Sequence, residues 1–161
     1  EFVLSTGVRT FEAAAFLKGK GADTVAVKRL FSNSIESNRK RSEIISAAHI
    51  YRGCAIACTA PGTENARLLS AQAADELLEV SGVKASFVIF DSGNDSISIS
   101  ARSYGDINVQ IIMEYLGGGG HRTMAAAQLG GVNMQEAKSK LCEAIDAKYP
   151  RSDGEEQDSI S

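Results

Sequence analysis

Only two histidines, His49 and His121, occur in the chain, and its acidic residues never form an Asp-x-Asp or Asp-His-His cluster. A hydrolytic two-metal site needs several carboxylates and imidazoles converging on the ions. A complete metal centre within these residues is therefore not expected. Cysteine is also sparse: Cys54, Cys58 and Cys142 are an odd set without metal-type spacing. Cys54 and Cys58 sit in an apolar stretch and read as small buried hydrophobes, not as zinc ligands or a disulfide, which fits a reducing cytoplasm. No apolar run approaches the ~18 residues of a membrane span, and no signal-peptide pattern is visible. No membrane contact by this chain is expected. Neither a Walker loop, nor G-x-G-x-x-G after a strand, nor a nucleophile-elbow pattern is present. An excess of basic residues is missing too, since the net charge is −3. That argues against a polybasic nucleic-acid coat protein, because non-specific duplex binding relies on surplus Lys and Arg. It leaves open a small anionic ligand held at one local site.

What is present is enough for one ordinary domain plus a short flanking piece: 161 residues, 43% of them hydrophobic, should enclose a real core. The most informative stretch is Gly117-Gly118-Gly119-Gly120-His121, which follows an apolar helix-like segment and opens into Met124-Ala125-Ala126-Ala127. Four consecutive glycines are costly in backbone entropy. A fold keeps them where side chains would be in the way, for instance where main-chain N–H groups approach an anion. His121 adds a donor, a charge or a stacking face. The run reads as a phosphate- or nucleotide-contacting loop. A helix C-cap at Gly117 followed by a tight turn is the plainer alternative.

Along the chain, Thr10 to Lys20 and Asp23 to about Phe31 read as helices, and residues 35–51 as a helix with an exposed basic face at Arg39-Lys40-Arg41. That face is either solvated or a phosphate patch. Cys54 to Thr59 is a buried strand ended by Pro61-Gly62, and Thr63 can cap a helix with Ala66, Leu69, Ala73, Leu77 and Val80 on one face. Ala85 to Phe90 is a second buried strand, and Asp91 to Asp95 is turn chemistry. Ser96 to Arg102 alternates strictly, turning Ile97, Ile99 and Ala101 to the core and Ser96, Ser98, Ser100 and Arg102 the other way. Asp106 is a candidate N-cap for a helix carrying Ile107, Ile111, Tyr115 and Leu116. Gln128 to Val132 reads as a last short strand. Asn133 with Glu136 forms a capping box for a final helix closed by Pro150. The expected class is α/β: a small mixed β-sheet flanked by helices, with a helical N-terminal lead-in over 1–50.

Residues 2–5 read as a strand end, and Glu1 follows no initiator Met, so an excised piece of a longer protein is expected. An unpaired edge at Phe2-Val3-Leu4 would favour a homodimer. Residues 151–161 read as a disordered polar tail. Arg102 at a strand end can grip phosphate with its fork of donors, or can be an ordinary surface arginine. His49 reads as a histidine packed on a helix.

Ser100-Ala101-Arg102-Ser103, Asp106-Ile107-Asn108-Val109, the Gly117–His121 run and Ala125-Ala126-Ala127 together resemble the DHH-associated domain, first subtype. Thr6 to Ala15 with Gly21-Ala22-Asp23 resembles the end of the DHH catalytic domain that precedes it in RecJ-like phosphoesterases and nanoRNases. Ala126-Ala127-Gln128 is similar to the membrane-tethered cyclic-di-AMP phosphodiesterases. The resemblance divides the chain into a remnant of the catalytic domain with a connecting helix (1–50), a substrate-binding domain (51–150) and a tail. It implies that Arg102 and Ser103 contact phosphate, that Gly118, Gly119 and Gly120 offer main-chain N–H groups, and that His121 contacts phosphate or base. It implies no catalytic or metal-binding residue and no cofactor in this chain, with two manganese ions in the intact parent. Partners would be a cyclic dinucleotide or short oligonucleotide and an upstream DHH domain, in the cytoplasm. Two alternatives share these motifs: a nanoRNase, RecJ-like exonuclease or exopolyphosphatase-like phosphoesterase portion, and a non-catalytic RNA- or partner-binding module.

Overall fold

The computed structural model describes residues 6–30 and 34–149. The strand end expected at 2–5 and the tail at 151–161 lie outside the described residues. The chain divides into two compact units, 1–38 and 39–161.

The first unit holds α1 (Val8–Gly19), α2 (Thr24–Leu30) and the start of α3 (Ile35–Ser46). Asp23 caps α2, its Oδ1 accepting from the Val25 N–H at 2.8 Å, and the Ser34 hydroxyl accepts from the Ser37 N–H to start α3. No residue of α1 or α2 is buried, and Phe11, Phe16, Leu17, Val25 and Val27 are all exposed.

The second unit is built on a six-stranded mixed sheet in the order β1-β2-β3-β4-β6-β5. Its strands are β1 (His49–Tyr51), β2 (Cys54–Cys58), β3 (Ala85–Gly93), β4 (Ser96–Ser103), β5 (Gly119–His121) and β6 (Met124–Gly130). Only β2 and β3 are parallel, linked by α4 (Ala66–Leu77); the other neighbours are antiparallel. β2 is buried on both faces, which is why it reads as an unbroken run of small apolar residues. The two-residue turn between β3 and β4 places Asn94 and Asp95 at φ 52° and 54°, the left-handed pair that a tight hairpin needs.

The two faces of the sheet are covered unequally. On one, Phe87, Ile89, Ile99, Ala101, Ala125 and Ala127 pack under α5 (Val109–Tyr115) and α6 (Met134–Lys148) through Ile112, Met113, Leu141 and Ile145. On the other, Ala55, Ala57 and Val88 pack under α4 through Leu69, Ala73 and Leu77, with Ile44 of α3. Residues of β6 on this second face stay exposed.

Several local expectations are corrected. The helix expected over 35–51 stops at Ser46, and His49–Tyr51 is an edge strand paired with β2, so the lead-in over 1–50 contributes to the sheet. Thr63 does not cap α4; its hydroxyl donates to the Ala60 carbonyl at 2.7 Å and closes the Pro61-Gly62 turn. Asn108, not Asp106, caps α5, accepting from the Gln110 N–H, because burying Ile107 draws the preceding loop inward. The last strand begins at Met124 instead of Gln128. The Asn133–Glu136 capping box is formed in both directions.

The glycine run is the end of a helix and the start of a strand. Gly117 adopts φ +79°, and the N–H groups of Gly117 and Gly118 donate to the carbonyls of Glu114 and Met113. That pair of bonds is a Schellman cap on α5. A Cβ on Gly118 would lie 2.6 Å from Ala127 Cα, and one on Gly120 would lie 2.5 Å from Ala125 Cα. β5 can therefore lie against β6 only as glycine at these two positions. Gly119 is different, because a Cβ there would meet nothing within 4 Å. Gly118→Ala and Gly120→Ala should each cost about 2 kcal/mol or more, as overpacking against rigid backbone does. Gly119→Ala should be neutral or up to about 1 kcal/mol stabilising. Urea denaturation of the three variants checks the ranking.

Of the two cysteines expected to be buried, Cys54 is and Cys58 is only half-buried. All three thiols are free, and burial pushes the Cys54 thiol up to about 11. At pH 8, Cys54 should resist alkylation in the folded chain and react at an ordinary rate in urea, as mass spectrometry of iodoacetamide-treated protein would read.

Candidate functional site

Strand register brings the glycine run and Arg102 onto one face. Arg102 is opposite Met124 across β4 and β6, and Met124 is opposite His121 across β6 and β5. Directly opposed residues share a face. Arg102, Met124 and His121 thus form one row across three strands, with about 10 Å between the outer Cα atoms, two inter-strand spacings. The next row on the same face is Ser100, Ala126 and Gly119. Met124, Ala126 and His121 are exposed, since α4 stops over β3 and β4. The result is an open strip floored by small residues and bordered by a guanidinium and an imidazole.

The guanidinium is held in place. Arg102 Nε donates to Asp75 Oδ1 on α4 at 2.8 Å, and Nη1 donates to the Ala101 carbonyl at 3.0 Å. The Arg102 side chain is only 13% exposed. Nη2 has no partner among the described residues, so donors remain for a ligand. The turn between β5 and β6 is also tied down. Arg122 donates through Nε and Nη2 to the Gly105 carbonyl, and its own carbonyl accepts from the Val109 N–H.

Three expected contacts take different forms. Ser103 is 1% exposed; its hydroxyl donates to the Ile107 carbonyl at 2.7 Å and accepts from the Gly105 N–H. It lies on the α5 face and supports the loop behind the strip. The Gly118 N–H is consumed by the helix cap. Of the three glycines, Gly120 has its N–H on the outer side of β5. The bond from Ser103 N to Thr123 O fixes the alternation of the ladder, which turns the N–H groups of Gly119 and His121 toward β6. Gly119 contributes open space, not a donor.

Other candidates resolve elsewhere. Arg39 pairs with Glu43 at 3.2 Å, and Arg41 pairs with Glu76 at 2.9 Å, joining α3 to α4. The basic cluster is thereby drawn into ion pairs at both arginines. His49 lies on β1 with its pKa lowered by burial and, secondarily, by Lys138. Among the described residues no three His, Cys, Asp or Glu side chains come together as a metal site would require. No described helix is long and apolar enough to cross a membrane. Sequence reasoning missed Asp75, which lies 27 residues from Arg102 on another element and carries no motif. It also missed Met124, whose place in the row depends on β5 being a strand.

Comparison with known proteins agrees with this architecture. Residues 52–148 match the DHHA1 domain. The chain is 52% identical over 145 residues to the cyclic-di-AMP phosphodiesterase GdpP of Geobacillus thermodenitrificans, covering 89% of this chain and 22% of that protein. It is 48% identical over 149 residues to the cyclic-di-AMP phosphodiesterase PdeA of Listeria monocytogenes, covering 92% of this chain and 23% of that protein. The chain thus spans under a quarter of the length of these relatives. Its fold is similar to that of an exopolyphosphatase-related protein from Bacteroides fragilis, with a TM-score of 0.74 at 19% identity over 89% of this chain and 44% of the other. With a family match over most of the second unit and the expected sheet and motifs in place, the chain belongs to the DHHA1 domain family.

Proposed function

We propose that this chain is the substrate-binding portion of a cyclic-di-AMP phosphodiesterase, and that the strip between Arg102 and His121 holds the phosphodiester. One observation carries the reading. Gly119 is the one glycine of the run that neither a positive φ nor a close approach demands, yet it lies across from the exposed Ala126, in the row next to Arg102 and His121. A side chain there would fill the space that a ligand phosphate or sugar needs. The partner of Arg102 is then one phosphate oxygen pair, gripped by the N–H groups that Asp75 and Ala101 leave over. His121 adds a second polar contact at the far border, and Gly120 a main-chain donor at the sheet edge. Ser103 acts from behind by holding the Gly105–Ile107 loop.

Hydrolysis requires groups from outside this chain. The two manganese ions expected in the parent would be ligated by an upstream DHH domain in the cytoplasm. The exposed apolar residues of α1 and α2 support the presence of such a domain, since helices with no buried residue lack the packing that ordinarily stabilises them. The similarity to two cyclic-di-AMP phosphodiesterases supports the choice of substrate.

Calorimetric titration of the purified chain with cyclic-di-AMP, its linear dinucleotide product and a short RNA tests the reading. The dinucleotides should bind and raise Tm by mass action. Arg102→Ala should weaken binding about ten- to a hundredfold, the loss of a charge-assisted contact. Gly119→Ala should reduce binding while leaving Tm in the absence of ligand unchanged or raised. Binding of RNA alone would overturn the proposal in favour of an RNA-binding module.

A further inference from the structure

We infer that Asp75 is a positioning residue for phosphate binding: its carboxylate on α4 fixes the orientation in which Arg102 presents its remaining donors. The inference rests on the function proposed above for Arg102. A guanidinium has five N–H donors in a rigid planar fork. Here one edge is taken by Asp75 through Nε, and Nη1 is turned back to the Ala101 carbonyl of its own strand. Two anchors on different nitrogens fix both the position and the plane of the group. An arginine without them would have to be immobilised when the ligand arrives, which weakens binding.

Neighbouring acids on α4 have different partners. Glu76 bonds Arg41 of α3 through Oε2, whereas Asp75 reaches the sheet. Asp75 is itself 62% exposed, so its pair with Arg102 adds little to stability. Its significance lies in geometry.

Two effects of Asp75 on an anion have opposite signs. As a negative charge beside the site, it repels phosphate, and its removal would tighten binding. As an anchor, it orders Arg102, and its removal would loosen binding. The arrangement favours the anchor, because water screens an exposed carboxylate whereas the orientation of a half-buried arginine depends on its contacts.

The test is calorimetric titration of cyclic-di-AMP into the 161-residue chain and its variants. Asp75→Ala should weaken binding about threefold to tenfold, the range expected for one newly mobile side chain. Asp75→Asn keeps an oxygen that accepts from Nε and loses the charge, so it should bind at least as tightly as the native chain. In an Arg102→Ala background, Asp75→Ala should have no further effect. Glu76→Ala, which breaks only the pair to Arg41, should leave binding unchanged. The Arg102 Nε–Hε NMR signal should be sharp in the native chain and in Asp75→Asn, and averaged in Asp75→Ala. Native or tighter binding by Asp75→Ala, together with loss of binding in Arg102→Ala, would overturn the inference and leave the proposed function standing. A native chain that gives no response to the dinucleotide would overturn the proposed function, and the inference with it.

Discussion

The close approach of β5 to β6 is the constraint on which the candidate site depends. Two positions, Gly118 and Gly120, have backbone of the neighbouring strand where a side chain would begin. With any other residue there, β5 could not take its place beside β6. His121 would then leave its register with Met124, and the row that joins it to Arg102 would be lost. The same run ends α5, since the N–H groups of Gly117 and Gly118 donate to the carbonyls of Glu114 and Met113. One short segment therefore sets a helix end, a sheet edge and the floor of the strip.

The uneven covering of the sheet explains why an open strip exists at all. On one side α4 lies over β3 and β4, and on the other α5 and α6 pack on the core of the sheet. Among the described residues, the strong helix contacts on the first side are those of α4, which reach no farther than β4. The outer two strands are thus left with Met124, Ala126 and His121 in the open. A sheet face left bare in water is normally protected by polar side chains. Here Ser98, Gln128, Arg102 and His121 supply polar side chains, and Ala126, Gly119 and Met124 leave room between them. Burial on one face supplies the stability, and the same strands then present the other face in fixed register.

Much of this was legible in the sequence because the signals were local. The alternation from Ser96 to Arg102 assigned faces correctly, and Ile97, Ile99 and Ala101 are buried. The capping box at Asn133 and Glu136 identified the start of α6. The errors share a different cause. Gly119 to His121 looked like a loop because a strand of glycines has no side-chain period to read; only pairing with β6 makes it a strand. His49 to Tyr51 continued a helical pattern until tertiary pairing with β2 claimed it. The resemblance assigned Ser103 the same ligand as Arg102, although successive strand residues point to opposite faces and Ser103 is buried on the other one. The Asp75 partner of Arg102 lay beyond reach, since no local pattern links α4 to the end of β4.

Charge considerations narrow what such a face can accomplish alone. Arg102 brings one positive charge, and the Asp75 carboxylate bonded to it offsets that charge locally. The chain as a whole carries −3, so long-range attraction does not draw an anion in. Recognition must then come from donors already aimed when the ligand arrives, and that is what the two anchors on Arg102 and the pinned Arg122 turn provide. Preorganisation of this kind would favour selectivity for an anion of matching shape over tight binding of any anion. On the function proposed above it would also suit a division of labour, in which a face that orients without strong charge holds the ligand while groups from elsewhere perform the chemistry.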